Sequence, residues 1–261
     1  MIDVQQADGV TTVRIDHPPV NALDLGLVDD AVATVRSIHG PIVLTGAGSC
    51  FSAGVDLRAI LDGGADYSDR FLAALSAAFL AVFDHPAPVV AAINGHAIAG
   101  GCVLAMAADF RLMSAGLIGL SEVAVGVPFP VAALEICRYS MGPSVTRAVL
   151  QADNVDVLAA AQRGWIDEVV APDDLLIRAV RDRSRARAAP GDRLRADEIA
   201  TTPARPRGDR RGRGARRERA GDLEVGRNAG ADRRVPRRAQ VIVRQVISML
   251  SASRTGKFTL T

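Results

Sequence analysis

Cysteine, aromatic residues, nucleotide-binding glycine motifs and an apolar leader are scarce or missing in this 261-residue chain, and each shortage excludes something. The three cysteines, Cys50, Cys102 and Cys137, have neither metal-ligand spacing nor a paired framework. That argues against a bound metal and a secreted disulfide scaffold, and it fits a reducing, cytoplasmic setting. The N-terminus, M-I-D-V-Q-Q-A-D, carries early acids and no apolar core of a targeting peptide. Gly46-Ala47-Gly48 does not fit G-x-G-x-x-G, and no G-K-[ST] follows it, so neither nucleotide motif is satisfied. From Pro86 to Ala108 there is no Asp, Glu, Lys or Arg, yet Pro86, Pro88, Asn94, His96 and three glycines interrupt that run. It is therefore read as buried protein core rather than a membrane span.

What is present is apolar substance, at 49% hydrophobic content enough for a sizeable core in one or two domains. Gly9 to Ile15 alternates like a strand, and Asp24 to His39 carries Leu27, Val28, Ala31, Val32, Val35 and Ile38 at helical spacing. Ile42 to Thr45 is a short apolar run, as expected of a strand covered on both faces. Tyr67 to Asp84 predicts a helix, Phe110 to Met113 a strand, and Val131 to Tyr139, Val145 to Leu150 and Leu158 to Arg163 further helices. Ile166 to Val170 predicts a last strand and Pro172 to Val180 a last helix. Strands alternating with helices in this way predict an α/β fold.

Two strand–glycine–helix junctions stand out, Ser52 to Leu57 and Ala99 to Val103. A helix start presents unpaired N–H groups and the positive end of the dipole, so each junction suits a developing negative charge. The alternative is tight helix–strand packing, for which small residues serve equally well. Two such donors on one oxygen would form an oxyanion hole. Glu122 is the only carboxylate between Asp109 and Glu135 and follows the apolar Ile118-Gly119-Leu120. In apolar surroundings a carboxylate gains proton affinity and can act as a base near neutrality; otherwise Glu122 is an exposed strand end. His96 and Cys102 are read as structural, Asp56 as a helix cap or orienting group, and Glu135 as part of a helix face. Phe129, between two prolines, lines an acyl pocket or simply packs.

In order and spacing the first 180 or so residues resemble the crotonase, or enoyl-CoA hydratase/isomerase, superfamily. The resemblance rests on P-P-V-N-A-L at 18–23, I-V-L-T-G at 42–46, F-S-A-G-V-D-L at 51–57, I-N-G-H-A-I-A-G-G-C at 93–102, I-G-L-S-E at 118–122 and A-x-x-x-G-W-I-D-E-V-V from Ala160. It implies a crotonase-like spiral of ββα units and a homotrimer or dimer of trimers. It also implies an acyl-CoA substrate whose thioester oxygen is held by the N–H groups of Val55 and Gly100. Ala53, Gly54, Val55, Asp56, Leu57, Gly100, Gly101 and Phe129 are then the expected substrate-binding residues, with no cofactor beyond the coenzyme A of the substrate. Hydratases of the family use two glutamates; this sequence has Val103 in place of the first and Glu122 in place of the second. One base suffices to move a double bond from C3 to C2, so the resemblance is nearest to the 3,2-enoyl-CoA isomerases, with Glu122 as the proton shuttle. An enoyl-CoA hydratase of low efficiency, a non-catalytic acyl-CoA-binding protein and an inactive product are the alternatives.

The sequence changes character after about residue 182, dividing the chain into a catalytic core, 1–182, and an Arg/Gly/Pro-rich tail, 183–261. Clustered arginines suit nucleic acid, but the run has no interleaved aromatics and contains Asp192, Asp197, Glu198, Asp209, Glu218, Asp222 and Glu224. No nucleic-acid partner is expected. A disordered charged linker and a shift of reading frame both account for the composition. Moved by one base, suitable codons for Asp192 to Pro206 and Leu223 to Val241 can read as text resembling crotonase C-terminal helices, the second ending in a stop. The nucleotide sequence decides between the two.

Overall fold

The computed structural model describes residues 1–127 and 129–186, with side chains through Arg181. The tail expected from 183 onward, and with it the reading-frame question, falls almost wholly outside the described residues. Strands β1 (Ile2–Ala7) and β2 (Val10–Ile15) form an antiparallel hairpin that pairs Ile2 with Ile15 and Ala7 with Val10. Its turn is Asp8-Gly9, both at positive φ, as the two-residue hairpin turn requires. Helix α1 (Leu25–Ser37) follows, capped by the Asp24 carboxylate, which accepts from the Leu27 N–H at 2.8 Å.

Strand β3 (Ile42–Gly46) lies parallel to β2, and the short β4 (Cys50–Ser52) leaves it for a second sheet. Helix α2 (Leu57–Phe83) is longer than the periodicity predicts, because Asp56 caps it eleven residues before Tyr67. The Asp56 carboxylate accepts from the N–H groups of Arg58 (2.9 Å) and Ala59 (3.1 Å), and the helix breaks at Gly64, where φ is 71° and ψ −163°. Strands β5 (Val89–Ile93) and β6 (His96–Ile98) lead into helix α3 (Gly100–Ala107), and β7 (Phe110–Met113) is followed by β8 (Leu117–Gly119). A 3₁₀ turn at Glu122–Val125 leads to helices α4 (Val131–Met141) and α5 (Val145–Gln151). Strand β9 (Asn154–Asp156), helix α6 (Val157–Gln162), strand β10 (Glu168–Val169) and helix α7 (Leu175–Ala186) complete the described chain.

The larger sheet runs β1-β2-β3-β5-β7-β10 and the smaller β4-β6-β8-β9. Each of the pairs β3/β4, β5/β6 and β7/β8 gives its first strand to the large sheet and its second to the small one. After the first two pairs comes a helix, which is the expected spiral of ββα units. The apolar runs are explained by cover on both faces. Ile42 and Leu44 of β3 and Ala91 and Ile93 of β5 join the main core with α1 to α4. The alternate residues Val43, Val90 and Ala92 instead form a second core with Leu175 and Ala179 of α7. Among the described residues no helix is long and apolar enough to cross a membrane.

Candidate active site

Three loops are tied together before the site takes shape. Asn21, buried, donates from Nδ2 to the carbonyls of Cys50 (2.7 Å) and Ala47 (3.1 Å), while its Oδ1 accepts from the His17 N–H. Asn94 accepts from the Gly46 N–H at 3.0 Å and donates to the Gly48 carbonyl at 2.9 Å. Leu23 forms an isolated parallel bridge with Val55, through the bonds Leu23 N–H to Gly54 O and Asp56 N–H to Leu23 O. The stretch from Ala53 to Asp56 is thereby fixed at the mouth of α2.

The second junction meets the first at van der Waals distance. A Cβ placed on Gly54, whose φ is +83°, would stand 2.7 Å from the Ile98 carbonyl oxygen and 3.1 Å from the Gly100 nitrogen. A Cβ on Gly101 would lie 2.3 Å from the Ser52 carbonyl oxygen, so only glycine lets the start of α3 lie against β4. Ala99, the N-cap of α3, is held at φ 51°, ψ −119° with no side-chain cap. A non-glycine residue there stores roughly 1–3 kcal/mol of strain, the kind of backbone cost that clusters at functional sites. The amides of Ala53, Gly54, Asp56, Ala99 and Val103 all have acceptors. Among the described residues no acceptor is found for the N–H of Val55 or of Gly100.

Glu122 stands just after β8, between the buried Leu120 and the turn closed by Gly126 at φ 74°. It is 6% exposed, and its Oε2 is buried with no hydrogen-bond partner among the described residues. Burial pushes its carboxyl up to about 7, outweighing an opposing hydrogen bond from its own backbone amide. Burial likewise raises the thiols of Cys50, to about 12, and of Cys102, and lowers the half-buried His96 imidazole. His96 Nδ1 accepts from the Leu117 N–H at 3.2 Å, a structural use, and Cys102 is wholly buried. Glu135 forms an ion pair with Arg138 on the outer part of α4.

One cavity brings these features together. Val55, Gly100, Val103 and Glu122 line one part of it, and among the described residues Glu122 is the only ionisable side chain on its wall. The rest is apolar: Ile60, Phe71, Leu72, Leu75 and Phe79 of α2, then Val127, Pro130 and Ala133. The other sequence-predicted residues stand behind this wall. Ala53, Gly54 and Gly101 shape the junctions, Asp56 caps α2, Leu57 opens it, and Phe129 packs against the core without lining the cavity. The α2 residues were legible only as a helical stripe, and nothing in a stripe distinguishes cavity wall from packed core. Among the described residues no cluster of three or more His, Cys, Asp or Glu could hold a metal ion.

Residues 5–197 match the family described as enoyl-CoA hydratase/isomerase. The rat mitochondrial enoyl-CoA delta isomerase 1 is 27% identical over 185 residues, covering 67% of this chain but only 64% of the rat protein. A probable enoyl-CoA hydratase of Rhizobium meliloti is 30% identical over 191 residues, 69% of this chain and 72% of that protein. Among solved structures, the human mitochondrial delta3-delta2-enoyl-CoA isomerase superposes with a TM-score of 0.68 at 25% identity, over 72% of this chain and 78% of its own. Pseudomonas aeruginosa DspI superposes with a TM-score of 0.67 at 26% identity, over 72% and 75% of the two chains.

Proposed function

The chain belongs to the enoyl-CoA hydratase/isomerase family, and from that premise we propose that it is an enoyl-CoA isomerase that moves a double bond from C3 to C2 of an acyl-CoA. The thioester oxygen accepts hydrogen bonds from the N–H groups of Val55 and Gly100. Glu122 removes a proton from C2, the charge passes onto the thioester oxygen as a dienolate, and the same carboxyl returns the proton to C4. Both donors are fixed before charge develops, which is where such stabilisation counts most. A carboxyl whose proton affinity is centred near neutrality can both take and return the proton. The reaction written this way needs no cofactor, since coenzyme A is part of the substrate.

The observation that carries this reading is that, among the described residues, Glu122 is the only ionisable side chain on the cavity wall and has a buried oxygen without a partner. Hydration would be served by a second group to position the water, and the wall offers Val103 where the family's hydratases resemble each other in having glutamate. A slow hydratase is the second reading, favoured by the Rhizobium meliloti relative's name. Purified protein given a 3-enoyl-CoA is expected to form the conjugated 2-enoyl-CoA, read as thioester absorbance, and to consume 2-enoyl-CoA far more slowly. The reverse order of rates makes the chain a hydratase. Binding of acyl-CoA with neither conversion makes it a binding protein.

A further inference from the structure

The cavity has a direction, and its far end is closed. Gly100 and Val103 lie in the first turn of α3, and Pro130 and Ala133 at the start of α4. At their other ends the helices are tied together. Ser140 Oγ of α4 donates to the Met106 carbonyl of α3 at 2.6 Å, and Tyr139 of α4 meets Phe83 of α2 edge to face at 5.4 Å between ring centroids. Along α2 the lining residues run Ile60 and, past the break at Gly64, Phe71, Leu72, Leu75 and Phe79; the next turn brings Phe83, which does not line the cavity. Met106 of α3 and Cys137 and Met141 of α4, buried in the same core as Phe79, do not line the cavity either.

We infer that Phe79 is the stop that sets the longest acyl chain this site accepts, so that the substrate is a short- to medium-chain, purely hydrocarbon acyl thioester. The inference rests on the acyl-CoA reading of the site and names its substrate class. From Phe71 to Phe79 the α2 wall extends roughly 12 Å at the helical rise, room for a chain of about ten carbons at most. Among the described residues the cavity wall has, beyond Glu122, no polar side chain to receive a hydroxyl, oxo or second carboxyl group on the chain, and against this wall such a group would be buried without a partner.

The test is binding of saturated acyl-CoAs, from butanoyl to hexadecanoyl, measured by calorimetry, which requires no turnover and so does not depend on the isomerase assignment. Affinity is expected to rise about fourfold per methylene while each is buried, then to level off or fall at or before decanoyl-CoA. Phe79→Leu is expected to move that break to longer chains, and Ala133→Leu, which fills the lumen from α4, to shorter ones. Phe83→Leu, an equally buried ring beyond the stop, should leave the break in place. A rise continuing through hexadecanoyl-CoA overturns the inference, as does a break that Phe83→Leu shifts as far as Phe79→Leu. Absence of isomerisation alongside a break that moves as described removes the catalytic reading and leaves the chain-length stop standing.

Discussion

Gly54 and Gly100 belong to different ββα units, yet a methyl on the first would stand 3.1 Å from the amide nitrogen of the second. Two glycines of this core tolerate a side chain very differently, which separates packing from chemistry. A Cβ on Gly101 meets backbone, the Ser52 carbonyl oxygen at 2.3 Å, so Gly101→Ala must push α3 off β4. A Cβ on Gly100 meets only the Leu23 Cδ1 at 3.2 Å and ordinary contacts beyond, so Gly100→Ala folds. It nevertheless crowds the wall at a proposed donor. Gly101→Ala is expected to lower thermal stability by about 1–3 kcal/mol. Gly100→Ala should leave the melting temperature nearly unchanged and lower kcat/KM, with loss of the donor, roughly 10²–10³-fold, as the upper bound.

Much of this neighbourhood was legible in the sequence. Glu122 stood out because Ile118 and Leu120 around it are apolar, and both prove fully buried. In the large sheet β3 announced itself as an apolar run and β2 as an alternation, whereas β1, I-D-V-Q-Q-A, mostly exposed, did neither. The small sheet did neither, because β4, β6, β8 and β9 are three residues each, too short to display a period of two. The start of α2 was legible in the Ser52–Leu57 junction and its Asp56 cap, but its continuity with the Tyr67 stripe was not: D-G-G-A-D has no apolar stripe, and only Gly64 there departs from helical geometry. Which faces of α2 and α4 surround the cavity depends on how helices meet across the core. No local spacing encodes that.

The raised proton affinity of Glu122 has a cost in stability that depends on pH. Its folded value of about 7 lies above the ordinary 4.5, so the folded protein holds a proton that the unfolded chain has released. The neutral carboxyl's contribution is fully present below 4.5 and is lost as pH rises through 7, on the order of 3 kcal/mol in all. Denaturant titrations of parent and Glu122→Gln across that interval should show the parent losing stability relative to the variant, with the difference levelling off above pH 8. A constant difference from pH 4 to pH 8 would mean that Glu122 titrates normally.

The same group sets the direction of the pH–rate profile. Only the ionised carboxylate takes a proton from C2, so kcat/KM for a 3-enoyl-CoA is expected to rise tenfold per pH unit below about 7 and to plateau above it. In Glu122→Gln the remaining rate should lack that limb, lie at least about 10²-fold lower, and leave the affinity for a saturated acyl-CoA largely intact. Unchanged turnover in this variant removes Glu122 from its role.

Val103 provides the sharpest division between the two chemistries. It is 1% exposed, in the first turn of α3, and lines the same cavity as Glu122. Val103→Glu places a second carboxyl on that wall, at the position where the resemblance to the family's hydratases implies their first glutamate. The new group is buried beside an existing one, and two carboxyls sharing a site cannot readily both ionise, so one is held protonated. A base and an acid are then present together, the pair that adding water to a conjugated thioester needs. The variant is expected to be less stable by a few kcal/mol, to lose isomerase activity, and to gain measurable consumption of 2-enoyl-CoA over the parent. A folded Val103→Glu protein that still isomerises and hydrates no faster would show that the missing carboxylate is not what separates this site from a hydratase.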